Sequence, residues 1–330
     1  MSKHELIKRA ISGEKQTEVP FSFWTHIPES DHDAELIAEA TYQFYKKYDL
    51  DFIKMMNNGM FSVVDYGATI DPSEVKKGGV TKVVETPINQ YEDWANLKDI
   101  SIEEGALKRE LIHLEKLLKK VDGEAPVTIT VFSPLTTADK LTKGRAPEFI
   151  KQDKDGLFKQ ALEKIAKVTG EFAEKAIEMG ADGIFFATQL SSYDRLTEEE
   201  YKEYGVPYDL PVLEKAKNGW FNTIHVHGNN IMFDIVKDYP VDVFNWHAWE
   251  TLPELKEGID FVGKSVLGGI ARPDITKDQR NQLRHQIYRS ITESQGKHLI
   301  LSPGCTVNHP FSDETIHFIK KVKKEAEALL

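Results

Sequence analysis

Short runs rich in Val, Ile and Phe recur along the chain and alternate with longer stretches whose apolar residues fall every three to four positions. The short runs lie at residues 19–26, 51–57, 127–133, 183–188, 223–227, 243–247, 265–270 and 298–302. Several are almost continuously apolar, as expected of parallel strands covered on both faces. Helical periodicity covers 34–47, 103–120, 158–179, 198–216, 230–238, 252–258, 276–294 and 312–330. Eight strands alternating with helices predict an α/β protein, a (β/α)8 TIM barrel, as one domain over residues 1–330. A doubly wound open sheet is the other arrangement compatible with this alternation, because a sequence does not show closure. No GxGxxG turn follows the first run, which weakens a dinucleotide-binding reading.

Three stretches depart from the alternation. Residues 60–100 are long and carry a strand-like pair around 80–87, expected as an excursion over the barrel mouth after the second strand. Residues 143–156 mix Gly, Pro and charge and are expected to be another mouth loop. Residues 1–15 put Leu6, Ile7, Ala10 and Ile11 on one stripe, an amphipathic helix expected to plug the barrel base. No repeat, low-complexity tract or linker divides the chain.

Composition narrows the class. The 330 residues include 42 basic and 53 acidic side chains, a net charge of −11 with histidines neutral. That balance argues against nucleic acid or an anionic membrane as partner. A single cysteine excludes an internal disulfide framework and fits a reducing compartment. The first residues lack an apolar signal core, and no stretch approaches the roughly 20 apolar residues of a membrane span. A cytoplasmic protein is expected.

The carboxyl ends of barrel strands carry the active site. There the predicted strands deliver Trp24 and His26, then Asn57, then Ser133, then Gln189 followed by Ser192, then His225 and His227, then Trp246 and His247, then Arg272, then Cys305. Two histidines spaced i, i+2 on one strand share a face. With the thiol of Cys305 from a neighbouring strand end they would make a His2Cys zinc site with an open fourth position. The bland alternative is two hydrogen-bonded histidines and an inert thiol. His26 and His247 are candidate proton-transfer or substrate-orienting groups. Trp246 and Trp249 are a candidate apolar wall, and Arg272 a candidate clamp for a carboxylate or phosphate. Glu250 is a candidate extra ligand or general base.

These residues carry a family resemblance over nearly the whole chain. Arg9-Ala10-Ile11-Ser12-Gly13-Glu14-Lys15 with Val19-Pro20-Phe21, the segment from Leu196 to Tyr208, Gly268-Gly269-Ile270, and Leu301 to Cys305 together resemble the uroporphyrinogen decarboxylase superfamily. The resemblance implies a (β/α)8 barrel, often a homodimer, with a deep cleft at the carboxyl face. Its decarboxylases use no metal, grip substrate carboxylates with arginines after the first strand, and use an aspartate after the second. This chain has no arginine in Trp24 to Ser30, has Asn57-Asn58 in place of the aspartate, and has Lys140 where a tyrosine is expected. Ser192 looks retained.

The other branch is similar to cobamide-dependent methyltransferases, which bind zinc through His-x-Cys and a later cysteine. His225 and Cys305 match that pattern, and His227 stands where the first cysteine would be. The resemblance therefore implies zinc at His225, His227 and Cys305, activating a nucleophile for methyl transfer from a corrinoid protein or a small methylated compound. His26 and His247 would be catalytic, and Asn57, Ser192, Trp246 and Arg272 substrate-binding. One alternative is metal-free decarboxylation of uroporphyrinogen or a related polycarboxylate, with Arg272 and Ser192 holding carboxylates. A third is a non-catalytic barrel that binds a tetrapyrrole or corrinoid.

Overall fold

A computed structural model describes residues 1–330. In chain order the strands are β1 (Ile53–Lys54), β2 (Thr69–Asp71), β3 (Lys82–Glu85), β4 (Val127–Phe132), β5 (Gly183–Thr188), β6 (Thr223–Val226), β7 (Val243–Trp246), β8 (Ser265–Ile270) and β9 (Leu299–Pro303). Seven of them form one parallel sheet in the order β1-β4-β5-β6-β7-β8-β9. Every residue of these seven strands is buried, because helices cover the outer face and strands face strands across the curled inner one. That is why their sequences read as continuous apolar runs.

The first expected strand, residues 19–26, is a correction. It forms only a one-residue bridge, Phe21 to Leu301, rather than a ladder. The physical reason is local: Pro20 has no N–H, and the Phe21 N–H donates to the Asp51 carboxylate at 2.7 Å instead of to a backbone carbonyl. The segment still lies between the sheet's two edges. Leu301 N–H donates to Pro20 O at 2.8 Å, and Asp51 N–H donates to Phe21 O at 2.9 Å.

Period-two alternation sorts the strand side chains. Thr130 and Phe132 of β4, Phe185 and Ala187 of β5 and His225 of β6 line one inner cavity. Their neighbours Val131, Phe186, Val226 and Trp246 join the large outer core against the helices. Deeper inside, Phe221, Val243, Leu267 and Ile300 form a small core with Ile7 and Ala10 of the N-terminal helix Lys3–Ser12. Ser265 Oγ donates to Ala10 O at 2.8 Å, so this helix sits at the amino ends of the strands. The helix stops at Gly13, where φ is 75° and any Cβ would lie 2.1 Å from the His298 ring.

Several helical expectations need adjustment. The stretch 198–216 is two helices, Glu198–Tyr204 and Val206–Lys215, because Gly205 and Pro207 interrupt it. Within the stretch 276–294 the helix begins only at Arg280 and runs to Ser294, and a separate short helix, Arg272–Thr276, precedes it. Only Phe233–Val236 of 230–238 is helical. The expected loop 143–156 contains a helix, Ala146–Gln152, with Pro147 in its first turn. In 60–100, β2 pairs antiparallel with β3, and Met60, Val80 and Thr81 line the inner cavity.

Candidate metal centre

Strand register brings the site together. β6 and β7 are paired so that His225 lies beside Asn245 and Val226 beside Trp246. Asn245 and His247 therefore point inward with His225 and His227. Cys305 follows β9 in the turn after Pro303, at the same end of the sheet. One ligand atom each from His225, His227, His247 and Cys305 lies within 4.8 Å of all the others. Sγ of Cys305 is 3.8 Å from His227 Nδ1, and His225 Nε2 is 3.3 Å from the same nitrogen.

The hydrogen-bond chain fixes the tautomer of His225. Asn245 Nδ2 donates to the Leu267 carbonyl at 2.6 Å, so Asn245 Oδ1 is left as an acceptor. His225 Nδ1 faces that oxygen and must carry the proton. Its Nε2 lone pair then faces the cluster, the orientation an outer hydrogen bond imposes on a ligating histidine. His247 is 3 % exposed, and its Nε2 is buried with no partner. Its Nδ1 lies 3.4 Å from Arg272 and 4.0 Å from a Glu250 oxygen, while Arg272 and Glu250 are paired at 3.4 Å.

Electrostatics favour a thiolate. Burial alone pushes the Cys305 thiol up, but His225, followed by His227 and His247, overrides it and holds the thiol well below its ordinary value. Burial pushes His247 down to about 4, against a weaker opposing pull from Cys305. A thiol held low beside the imidazoles of His225 and His227 is a donor set that suits zinc. The buried His247 Nε2 has no partner and calls for one, which a water or substrate atom at the fourth position of such a site would supply. The residues present fit a metal ion.

His26 and Asn57 also line the cavity. His26 Nδ1 lies 3.2 Å from the Asn57 carbonyl, which can only accept, so Nδ1 carries the proton and Nε2 is free. Burial, followed by Lys54, pushes His26 down to about 4, so it is neutral near pH 7. Asn57 Nδ2 donates to the buried Glu110 at 2.6 Å, and its Oδ1 has no partner. Arg272 lines the cavity too.

Three expected contacts lie elsewhere. Trp246 is fully buried on the outer face, 5.0 Å from the Phe233 ring, with Nε1 donating to Pro253 O. It alternates with His247, so the residue that points inward leaves its neighbour pointing out. Trp249 likewise donates to Gly269 O and meets the His285 ring edge-on, away from the cavity. Ser192 is not at the cavity wall: its Oγ donates to the Asn229 carbonyl at 2.6 Å, and its backbone bridges to Ile231.

The sequence reading passed over Lys54, which lines the cavity from β1, and treated Lys140 only as a replaced tyrosine. A signal for Lys54 existed. It is the one charge in the apolar run Phe52-Ile53-Lys54-Met55-Met56, where a buried strand should have none.

Comparison with known proteins adds a lineage. The family model described as "Uroporphyrinogen decarboxylase (URO-D)" matches residues 3–325. A uroporphyrinogen decarboxylase of Streptomyces avermitilis is 28 % identical over 199 residues, 58 % of this chain and 53 % of that protein. The methylcobamide:CoM methyltransferase MtbA of Methanosarcina mazei is 22 % identical over 216 residues, 65 % of this chain and 62 % of that protein. The matched region thus spans between about half and two thirds of these relatives' lengths. Among solved structures, a methyltransferase from Methanosarcina mazei superposes with a TM-score of 0.85 at 17 % identity, over 98 % of this chain and 99 % of that one. A B12-independent methionine synthase from Shewanella sp. W3-18-1 superposes with a TM-score of 0.56 at 13 % identity, over 96 % and 94 %. At these identities the likeness concerns the fold.

Proposed function

This chain belongs to the uroporphyrinogen decarboxylase family, and from that premise we propose that it is a metal-assisted methyltransferase acting on a small molecule. The observation that carries the reading is the convergence of His225, His227, His247 and Cys305 within 4.8 Å. His225, His227 and Cys305 would hold zinc, leaving an open position beside His247. Zinc bound there would supply a Lewis acid that turns a thiol or water into a nucleophile near neutral pH.

The chain's own residues do the rest. Asn245 holds the His225 proton on Nδ1. His247, set between Arg272 and Glu250, is the group placed to hold or pass a proton at the open position. His26 offers an acceptor at Nε2, with Asn57 orienting it. The nucleophile's lone pair forms the new bond to the methyl carbon, and the pair from the broken bond stays with the donor. The methyl donor would be a corrinoid protein or a small methylated compound. The fold that accompanies this reading is a one-domain (β/α)8 barrel, with residues 19–26 as the eighth stave and 60–100 over its mouth.

Decarboxylation of a uroporphyrinogen-like polycarboxylate has less support. Its two carboxylate grips would be Arg272, already paired with Glu250, and Ser192, which lies off the cavity. The cavity holds about 300 Å³, at the lower end for small-molecule sites and small for an octacarboxylate tetrapyrrole.

The test is metal content. Purified, untagged protein is expected to carry near-stoichiometric zinc by plasma mass spectrometry, and His227→Ala and Cys305→Ala are expected to lose it. Protein without metal after growth and purification with zinc supplied would overturn the reading. CO2 release from uroporphyrinogen without added metal would establish the decarboxylase instead.

A further inference from the structure

The cavity beside the cluster has a charge pattern that metal binding does not use. Its wall contains Lys54, Lys140 and Arg272 and no aspartate or glutamate, although acidic residues outnumber basic ones 53 to 42. Arg272 has Glu250 as its partner. Within hydrogen-bonding distance the two lysines have only backbone carbonyls and ring faces; the opposite charges they feel, Cys305 for Lys54 and Asp139 for Lys140, lie beyond it. Lys54 Nζ lies 3.4 Å from Met55 O, at the edge of a hydrogen bond, and 4.9 Å from the Phe185 ring centre. Lys140 Nζ donates to Gly59 O at 2.7 Å and sits over the Phe132 ring. Both residues are more than nine-tenths buried, 8 % and 7 % exposed.

Buried ammonium groups are normally paired with an opposite charge. A ring face attracts a cation without neutralising it. In keeping with this, burial pushes Lys54 down to about 8 and Lys140 well below its ordinary value. A third group completes the pattern. Thr130, also on the cavity wall and 5 % exposed, has a buried hydroxyl with no partner. Lys140 keeps two further N–H donors and Lys54 keeps all but one weakly used. Two lysines with no carboxylate in hydrogen-bond reach and a hydroxyl with no partner at all, around one cavity, define the partner they lack as an anion.

We propose that Lys54, Lys140 and the Thr130 hydroxyl form a subsite for one compact anionic group, a carboxylate, sulfonate or phosphonate, on a small substrate whose other end meets the His225, His227 and Cys305 cluster. The inference rests on the reading above for the reacting end, while the subsite itself stands on the lysines. It names the substrate class: a short organic acid, held by its anion at the β1–β4 side and reacting at the β6–β9 side.

Ligand-observed NMR titration tests it with probes that carry an anion and no thiol: butyrate, propane-1-sulfonate and propylphosphonate, with neutral butyramide as control. All three anions are expected to bind the intact protein, and butyramide not to. Lys54→Met and Lys140→Met should each weaken anion binding about tenfold or more, the order expected for a charge-assisted contact. Lys140→Gln keeps a donor for Gly59 O but removes the charge, and should weaken binding equally while melting like the parent protein. Cys305→Ala should leave the propane-1-sulfonate affinity within about twofold, because a sulfonate is a poor metal ligand. Equal binding of butyrate and butyramide, or anion affinities untouched by every lysine substitution, would overturn the subsite. Binding lost in Cys305→Ala alone would place the anion on the cluster and also overturn it, with the metal reading left standing. Protein that lacks zinc but binds the anions through the lysines would fail the metal reading and keep the subsite.

Discussion

Asn245 decides which nitrogen of His225 faces the cluster. Its amide is committed on one side to Leu267 O, so its oxygen is the only acceptor left for His225 Nδ1. Asn245→Ala should therefore lower metal affinity about 10- to 100-fold, the range for an outer hydrogen bond to a ligating histidine, as measured by competition with a chromogenic chelator. Unchanged affinity would mean that packing alone orients the ring. At this scale part of the site was legible in residue types. The i, i+2 spacing of His225 and His227 declares a shared face, and Cys305 is the chain's one thiol. Asn245 was not legible as an orienting group, because a hydrogen bond to a strand 20 residues away has no local signature. Lys54 was missed for a different reason: attention to strand ends passes over a charge placed one turn of the pleat deeper.

Elements were legible where periodicity is strong and failed where a single residue breaks it. β4 to β8 fall inside the expected runs and β9 ends one residue beyond its own, at Pro303, since each strand is buried on both faces. Residues 19–26 read as a strand but form one bridge, because Pro20 has no N–H to donate and the Phe21 N–H goes to the Asp51 carboxylate. The paired helices after β5 are held by a buried group that periodicity does not reveal. Asp209 accepts from Tyr201 at 2.7 Å and Tyr239 at 2.8 Å, and burial raises it to about 7 against the pull of both tyrosines. A raised carboxyl keeps its proton in the folded state after the unfolded chain has lost it. Its contribution to stability is fully present below about 4 and is lost as pH rises through about 7. Asp209→Asn cannot titrate, so its melting temperature relative to the parent should climb from pH 5 to pH 8. A constant difference across that range would show that Asp209 is already ionised in the folded protein.

For the whole molecule, the excess of acidic over basic side chains, 53 to 42, matters less than where each sign lies. The chain carries −11 overall, yet its cavity wall has two lysines and an arginine and no carboxylate. If the cluster binds zinc in the folded state only, binding and folding are linked. Removing the metal with a chelator should lower the melting temperature by several degrees, by about 2.7 kcal/mol for a metal held at a hundred times its dissociation constant. Calorimetry on Cys305→Ala should show no such response, and a parent protein indifferent to chelation would argue that nothing occupies the cluster. The sequence by itself determined the alternation of strands and helices, the parallel sheet's buried strands, the family, and the residue types available at the strand ends. These follow from local periodicity and from motifs a few residues long. Only the tertiary structure decided that His247 joins His225, His227 and Cys305, that Trp246 and Ser192 face away, and that Lys54 and Lys140 share a wall. Those outcomes depend on strand register and curl, which bring together residues from β1 to β9, and no pattern within one segment encodes a distance between segments.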